Sequence, residues 1–592
     1  MGVVLLSTCA PRVTRPILRE GNREFEIDIS ARVRTDPDTS LEVTMDIPAE
    51  VGNIDTLCFP PLVPGSYTVI KYGGYVRDMV ALDDSGDTIS FTVFDSTYYL
   101  FDESPTRITY RLIPTTAGDD SIPRFAGTHF GTEYWLLNTY AVFGYIPALQ
   151  DKPLRVQLSV PEAWTVGTAL DMDSSGALYA DNYRHLYDSP ILAGDLTEAG
   201  FTHNERTYFI YTYSENPGVQ AHGLRREIQS GVKAADAFLD GIPTDRYWFL
   251  IMVHDSISVS AGAHEHRKSS IYSLTGDLWA VRDILDLVVP HELFHTLIPL
   301  RLQSEEIRKI DYIGTNRVRH LWFYEGLAQY SAYKMLLCAG EMSLDEFLDE
   351  TRSVLVSNEL AHDSVSLDSL SRAALYDRKL LIDIYRRGFV LGLALDLHIV
   401  VESSGEETLR NVLLKMRDRY PLGNPFPTDS LFAIIADLSV PSVEPFLKKH
   451  VLEISDYALN RLFDHIGVVY NAREPHPIFE SNAGFLPIPD DKSNRLVVGG
   501  IYPSVEETPF EEGDTLISIN GEQVYADEFS IEFRGLLLSP PGRTFTAVVA
   551  RGRKEISFPA KTHQFYRYHT TEIRVGVDRR KRLLRDAWMN CR

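Results

Sequence analysis

The chain is 592 residues long, more than one hydrophobic core usually supports, and its 44% apolar and 24% charged residues are those of an ordinary globular protein. Its 58 Lys and Arg against 82 Asp and Glu leave a formal net charge of −24, which argues against nucleic acid or an anionic membrane as partner. No run of about eighteen apolar residues occurs, so no transmembrane segment is expected; Cys9, Cys58, Cys338 and Cys591 are too scattered for a disulfide framework or a metal knuckle.

Residues 1–22 are expected to form a separate N-terminal segment. Within it, Leu6-Ser7-Thr8-Cys9 resembles a bacterial lipoprotein cleavage box, although the apolar stretch before it is short and lacks a basic leader. Export to the periplasm or to a lipid anchor is the expectation, with a cytoplasmic location as the alternative. From 23 to 200, "FEIDISARVRT", "ISFTVFDSTYYL" and "TRITYRLIP" alternate with period two between Gly, Pro and Asp turns, which predicts an antiparallel β-domain. From 201 to 468 the period changes. "LRREIQSGVKAADAFLDGI" reads as an amphipathic helix and "YWFLIMVH" as a strand, followed by helices over 281–300, 321–338, 344–356, 380–401 and 408–419. Residues 469–563 return to short strands ("NRLVVGGIYP", "DTLISINGEQV", "FTAVVARG") in a small β-rich module. The last segment, 564–592, ends in "RVGVDRRKRLLRDAWMNCR" and predicts a solvated basic helix, with contact to an acidic partner as the alternative. The whole is a multidomain α+β chain.

The sharpest chemical signal is "PHELFHTL". His291 and His295 are four apart on a predicted helix, so both imidazoles leave one face, with Glu292 beside them. This HExxH arrangement suits one Zn²⁺ held by two neutral imidazoles, with the glutamate as proton acceptor for water. The competing reading is two helix histidines with a surface glutamate. Against it, His291 shares a stripe with Ile284, Leu287, Val288, Phe294 and Ile298, and buried histidines need polar partners. Pro290 has no N–H to donate and should kink or restart the helix.

A catalytic zinc needs a third protein ligand and an open position. In "HLWFYEGLAQYSAYKMLL", Glu325 falls on the stripe of Leu321, Trp322, Ala328 and Ala332. A carboxylate there needs a metal or a cation; an arginine salt bridge is the alternative to a metal. "AGAHEHRKSS" (261–270) leaves three readings open: a second metal cluster, a substrate clamp or a solvated turn.

HExxH, 29 intervening residues and then Glu in "LWFYEG" resembles the glycyl aminopeptidase family of zinc metallopeptidases, relatives of aminopeptidase N and leukotriene hydrolase. "PPLVPGSY", "LLNTYAVFGY" and "YDSPILAGDL" resemble stretches of that family's N-terminal domain, and "EEGDTLISINGEQV" its PDZ-like signature. After His295 the family's Thr-Trp-Asn-x-Lys-Arg is replaced by Thr296-Leu297-Ile298-Pro299-Leu300-Arg301, and in "DIYRRGF" Arg387 stands where the family has lysine. The resemblance implies an N-terminal β-domain, a thermolysin-like mainly helical catalytic domain and a C-terminal PDZ-like domain. It implies that Tyr385 donates a hydrogen bond to the oxyanion, a suitable task for a neutral phenol. It also implies that Gly262, Ala263 and Glu265, upstream of HExxH, bind substrate, with Glu265 holding the free α-amino group. Strand alternation sets Glu265 on one side and His264 and His266 on the other. The expected function is a zinc aminopeptidase acting on peptides with small N-terminal residues such as Gly or Ala. A zinc endopeptidase using the PDZ-like module, and a non-catalytic peptide-binding protein on the same fold, are the alternatives.

Overall fold

The computed structural model describes residues 27–590 apart from 36–38, 49–52, 62–68, 116–121, 256–260, 309–317, 359–364, 375–376, 378, 476–480, 491–492, 503–504, 506, 527–532, 534, 537–538 and 565. The lipoprotein-like box at Cys9 and most of "PPLVPGSY" lie outside the described residues.

The chain is a multidomain α+β protein with an N-terminal β-domain, a helical middle region and a C-terminal β-rich domain. In Ile27–Arg34 apolar residues alternate inward with polar ones outward, and the strand joins an eight-stranded sheet. One pairing departs from the antiparallel expectation: Ile27–Arg34 runs parallel to Leu154–Ser159. Alternation within a strand reports which face is buried, not which neighbour it finds, so this pairing had no local signal. A four-stranded sheet packs Tyr134, Leu136 and Leu192 against Phe209, Trp248 and Leu250 of the next sheet, joining the two regions through a shared apolar layer.

That next sheet has five strands, in the order Thr197–His203, Arg206–Ser214, Arg246–His254, Ser269–Thr275, Gly262–Glu265. Helix Ala221–Leu239 is the crossover between the parallel strands Arg206–Ser214 and Arg246–His254. Strand Gly262–Glu265 turns back antiparallel on Ser269–Thr275 and forms the edge.

The predicted helices appear as Leu278–Phe294, Leu327–Ala339, Leu344–Asn358, Lys379–Glu402 and Leu409–Arg419. The first is shorter than expected at its C-terminal end, because Pro299 disfavours helical backbone in the residue before it. It runs unbroken through Pro290. Among the described residues no helix is long and apolar enough to cross a membrane.

Strands Phe485–Asp490, Arg495–Ile501, Thr515–Ile519, Thr544–Arg551 and Lys554–Lys561 form the C-terminal sheet around its own core of Phe485, Phe510, Leu516 and Phe545. The predicted solvated tail is instead built into the molecule. Tyr566–Ile573 pairs with Val468–Pro475, and helix Arg579–Met589 buries Leu584 and Trp588 in the core of the helical region. Its Arg and Lys residues hid two apolar anchors one turn apart, a stripe too narrow to register against so many charges.

Candidate metal centre and substrate cleft

The Asp277 side chain starts the motif helix by accepting from the N–H groups of Trp279 and Ala280, at 3.0 and 2.9 Å. From there Val281, Leu285, Val289 and Leu293 point into the core, while Leu287, Val288, His291 and Glu292 line a cleft of about 680 Å³. The stripe shared by Leu287, Val288 and His291 therefore faces this cleft, and Ile284, Leu287 and Val288 are only half-buried.

Glu325 reaches the same place from a π-helical turn, Trp322–Gly326, that leads into helix Leu327–Ala339. Such wide turns recur at functional sites because they redirect one side chain without ending the helix. Glu325 Oε2 lies 3.4 Å from His291 Nε2 and its Oε1 lies 3.6 Å from His295 Nε2. The two imidazoles and the carboxylate offer ligand atoms within 4.8 Å of one another, all from buried residues. Among the described residues no arginine pairs with Glu325, so the salt-bridge alternative is not observed. His295 Nδ1 donates to the carbonyl oxygen of Ile298 at 2.8 Å, which fixes the ring and leaves Nε2 for a ligand.

Glu265 and Glu292 share a second group with His295, again within 4.8 Å. Three carboxylates thus crowd around two imidazoles in a site where Glu265, Glu292 and Glu325 are each at most 5% exposed. The electrostatics follow. Burial pushes the Glu292 carboxyl well up, with Glu265 and Glu325 adding to it, and burial lifts Glu265 to about 7. Burial opposes a charged His295, yet Glu325, Glu265 and Glu292 raise it to about 10; burial opposes a charged Glu325, yet the imidazoles hold it low. Glu292 Oε2 and Glu265 Oε1 are buried without hydrogen-bond partners among the described residues. A site so short of positive charge fits a dication on the His–His–Glu set, and that donor set is one zinc accepts.

Tyr385, half-buried on helix Lys379–Glu402, lines the same cleft with its ring 5.8 Å from that of His291. Burial, then the Glu325 and Glu292 carboxylates, push its phenol well above the ordinary range, so it is a proton-bearing donor. Its helix reaches the site through a contact that spacing alone did not reveal. At Gly388 an added Cβ would lie 2.2 Å from Gly326 Cα. Glycine directly after Glu325 and three residues after Tyr385 lets the two backbones touch and brings the carboxylate and the phenol to one place. The signal was present as "YEG" and "YRRG".

Along the edge strand Glu265 lies with the HExxH residues, while His264 and His266 lie together on the opposite side, their rings tilted by 50° with centroids 4.7 Å apart. His264 packs against Tyr140, at 6.1 Å between rings. His266 Nδ1 lies 3.3 Å from Asp188 Oδ1, and the Arg267 N–H donates to the other oxygen of Asp188. Tyr140 and Asp188 belong to "LLNTYAVFGY" and "YDSPILAGDL", so both stretches brace this strand. Gly262 and Ala263 line the cleft opposite Leu287. A Cβ on Gly262 would sit 2.3 Å from the ring of Phe125, an N-terminal-domain residue that no sequence pattern marks and that walls the cleft.

Two known domain families match the chain: the peptidase M61 N-terminal domain over residues 28–195 and the M61 glycyl aminopeptidase over residues 285–391. No curated protein sequence matches it significantly. Its fold is similar to that of an aminopeptidase N family protein from Idiomarina loihiensis, with a TM-score of 0.79 at 18% identity over 95% of this chain and 100% of the other. Two further structures align at lower scores. They are an M1 zinc metallopeptidase from Deinococcus radiodurans (TM-score 0.45, 13% identity, 73% of this chain and 94% of the other) and yeast LTA4 hydrolase in complex with bestatin (TM-score 0.47, 12% identity, 75% and 70%).

Proposed function

We propose that the chain, which matches the M61 peptidase N-terminal domain over residues 28–195 and the M61 glycyl aminopeptidase over residues 285–391, is a zinc-dependent aminopeptidase. The observation that carries this reading is the buried group of His291, His295 and Glu325, with Glu292 beside it and Glu265 one step along the cleft. His291, His295 and Glu325 hold the metal. Zinc bound there supplies Lewis-acid polarisation of the carbonyl and a more acidic water.

The remaining work falls to the protein's own side chains. Glu292, with a free carboxylate oxygen, takes the proton from the attacking water and passes it to the leaving amine. Tyr385 donates to the oxygen on which negative charge develops. Removing one such donor lowers turnover by about 10²–10³-fold, so Tyr385→Phe is expected to be slow rather than inactive, with KM for a tripeptide little changed.

Glu265 binds the α-ammonium of the substrate. A carboxyl raised by burial, whose Oε1 has no hydrogen-bond partner among the described residues, gains from an arriving ammonium group. Gly262 and Ala263 present an open strand edge to which an extended peptide can add by backbone hydrogen bonds. The match to the M61 glycyl aminopeptidase family supports small first residues such as Gly or Ala. The helical region is read as thermolysin-like and the C-terminal sheet as a PDZ-like module on its Glu511 to Val524 signature.

N-acetylation tests the reading. Hydrolysis of Ala-Ala-Ala is expected, is abolished by chelation, and fails for the acetylated peptide. Cleavage of the acetylated peptide at a similar rate would instead make the protein an endopeptidase.

A further inference from the structure

Beside the catalytic cleft, and meeting it at Leu287, lies a second cleft of about 670 Å³. Its walls carry six acids: Glu227, Asp283, Asp286, Glu341, Glu346 and Glu350. The two cations of its lining are already engaged, Arg226 with Glu227 at 3.0 Å and Lys233 with Glu341 at 3.6 Å. Asp283, Asp286 and Glu350 have neither a hydrogen bond nor an ion pair among the described residues. Burial and the neighbouring Glu227 raise the Asp286 carboxyl, the mark of acid facing acid.

Glu227 adds an observation independent of this acidity. It is 1% exposed and lines the cleft. Its Oε1 takes Arg226 and Arg282, at 3.0 and 3.5 Å, but its Oε2 has no hydrogen-bond partner among the described residues. A buried carboxylate oxygen without a donor is costly, and Glu227 lies in the cleft wall beside Asp286.

The position of this cleft relative to the chemistry gives it a role. Two helices run from one cleft into the other: His291 and Asp283 lie on one, Gln329 and Leu336 on the other. At a rise of about 1.5 Å per residue, His291 and Asp283 are about 12 Å apart along the axis. An extended peptide covers that span in about three to four residues. Glu265 lies at the opposite end of the edge strand, beside Pro299 and Leu300. A peptide held there by its N-terminus runs past Gly262 and Leu287 and enters the acidic cleft with the residues that follow the cleaved bond.

We propose that this cleft is a subsite for the basic side chains, lysine or arginine, of a peptide substrate, at about its fourth or fifth residue. The direction of the peptide rests on the aminopeptidase reading; the chemistry of the cleft does not.

Binding to the Glu292→Gln protein separates the two. Dye-labelled Ala-Ala-Ala-Lys-Lys-Ala and Ala-Ala-Ala-Glu-Glu-Ala are titrated in low and in high salt, with fluorescence anisotropy as the readout. The lysine peptide is expected to bind about tenfold or more tightly in low salt. This preference shrinks as salt screens the charges and is lost when Asp283→Asn and Asp286→Asn are added. Equal binding of the two peptides, no binding of the lysine peptide, or a preference that survives neutralisation would each overturn the subsite. The acetylated-peptide assay judges the aminopeptidase reading separately. The salt dependence in the unneutralised protein keeps the proposal testable if the added substitutions prevent folding.

Discussion

Glu292→Gln is expected to lower peptide turnover by about 10²–10⁴-fold, the usual contribution of a positioned general base, while the protein still holds one metal per chain. Glutamine has nearly the shape of glutamate, so the packing around Val289 and Leu293 is kept. Neither His291, His295 nor Glu325 is touched. The substitution also removes a buried carboxyl that burial, Glu265 and Glu325 push well up, so thermal stability is expected to hold or rise. Steady-state hydrolysis of Ala-Ala-Ala, metal analysis and a melting curve on one preparation check all three expectations. Wild-type turnover in the metal-replete variant would remove Glu292 from the chemistry.

Lys334→Met is expected to destabilise the protein by about 3–5 kcal/mol, the range for leaving a buried charge without its partner. Lys334 and Asp396 are 2% and 1% exposed, with Nζ and Oδ2 3.3 Å apart. The same ammonium donates to the Trp588 carbonyl and lies 4.3 Å from the centre of the indole. Asp396 also accepts from the Tyr330 hydroxyl at 2.6 Å and from the Leu409 N–H at 2.8 Å, and the indole N–H of Trp588 donates to Tyr330 at 3.2 Å. One buried cation thus ties the C-terminal helix to the helices that carry Glu325 and Tyr385. Methionine keeps the stem and removes the charge, stranding Asp396. Chemical denaturation reads the loss. Adding Asp396→Asn removes the stranded charge and is expected to recover a substantial part of it. An unchanged midpoint in Lys334→Met would mean that the pair contributes nothing to stability.

Strong periodicity made the helices Leu344–Asn358, Lys379–Glu402 and Leu409–Arg419 legible within one or two residues, because a buried apolar stripe repeating every three or four positions has few structural alternatives; the seven-residue helix Leu367–Ala373 between them is too short to show a period and was not anticipated. HExxH was legible for the same reason: two histidines one helical turn apart share a face whatever the helix packs against. The basic C-terminal helix misled, since its charges dominate the composition while its two apolar anchors decide where it goes. The stripe of His291, which periodicity marked as inward, is divided: His291, Phe294 and Ile298 are buried, while Leu287 and Val288 border the candidate cleft, and only the neighbouring helices distinguish a cleft wall from a core.

The sequence by itself determined the type of the long helices and of the N-terminal strands, the pairing of His291 with His295, and the opposite facing of Glu265 and His264. These follow from rise and rotation along a single element. Tertiary structure alone decided that a π-helical turn carries Glu325 to both imidazoles and that Phe125 walls the cleft. It also decided that Gly326 and Gly388 touch, and that six acids from separate stretches of chain gather beyond Leu287. Each is a distance between residues far apart in sequence, set by how helices and sheets pack rather than by any local preference.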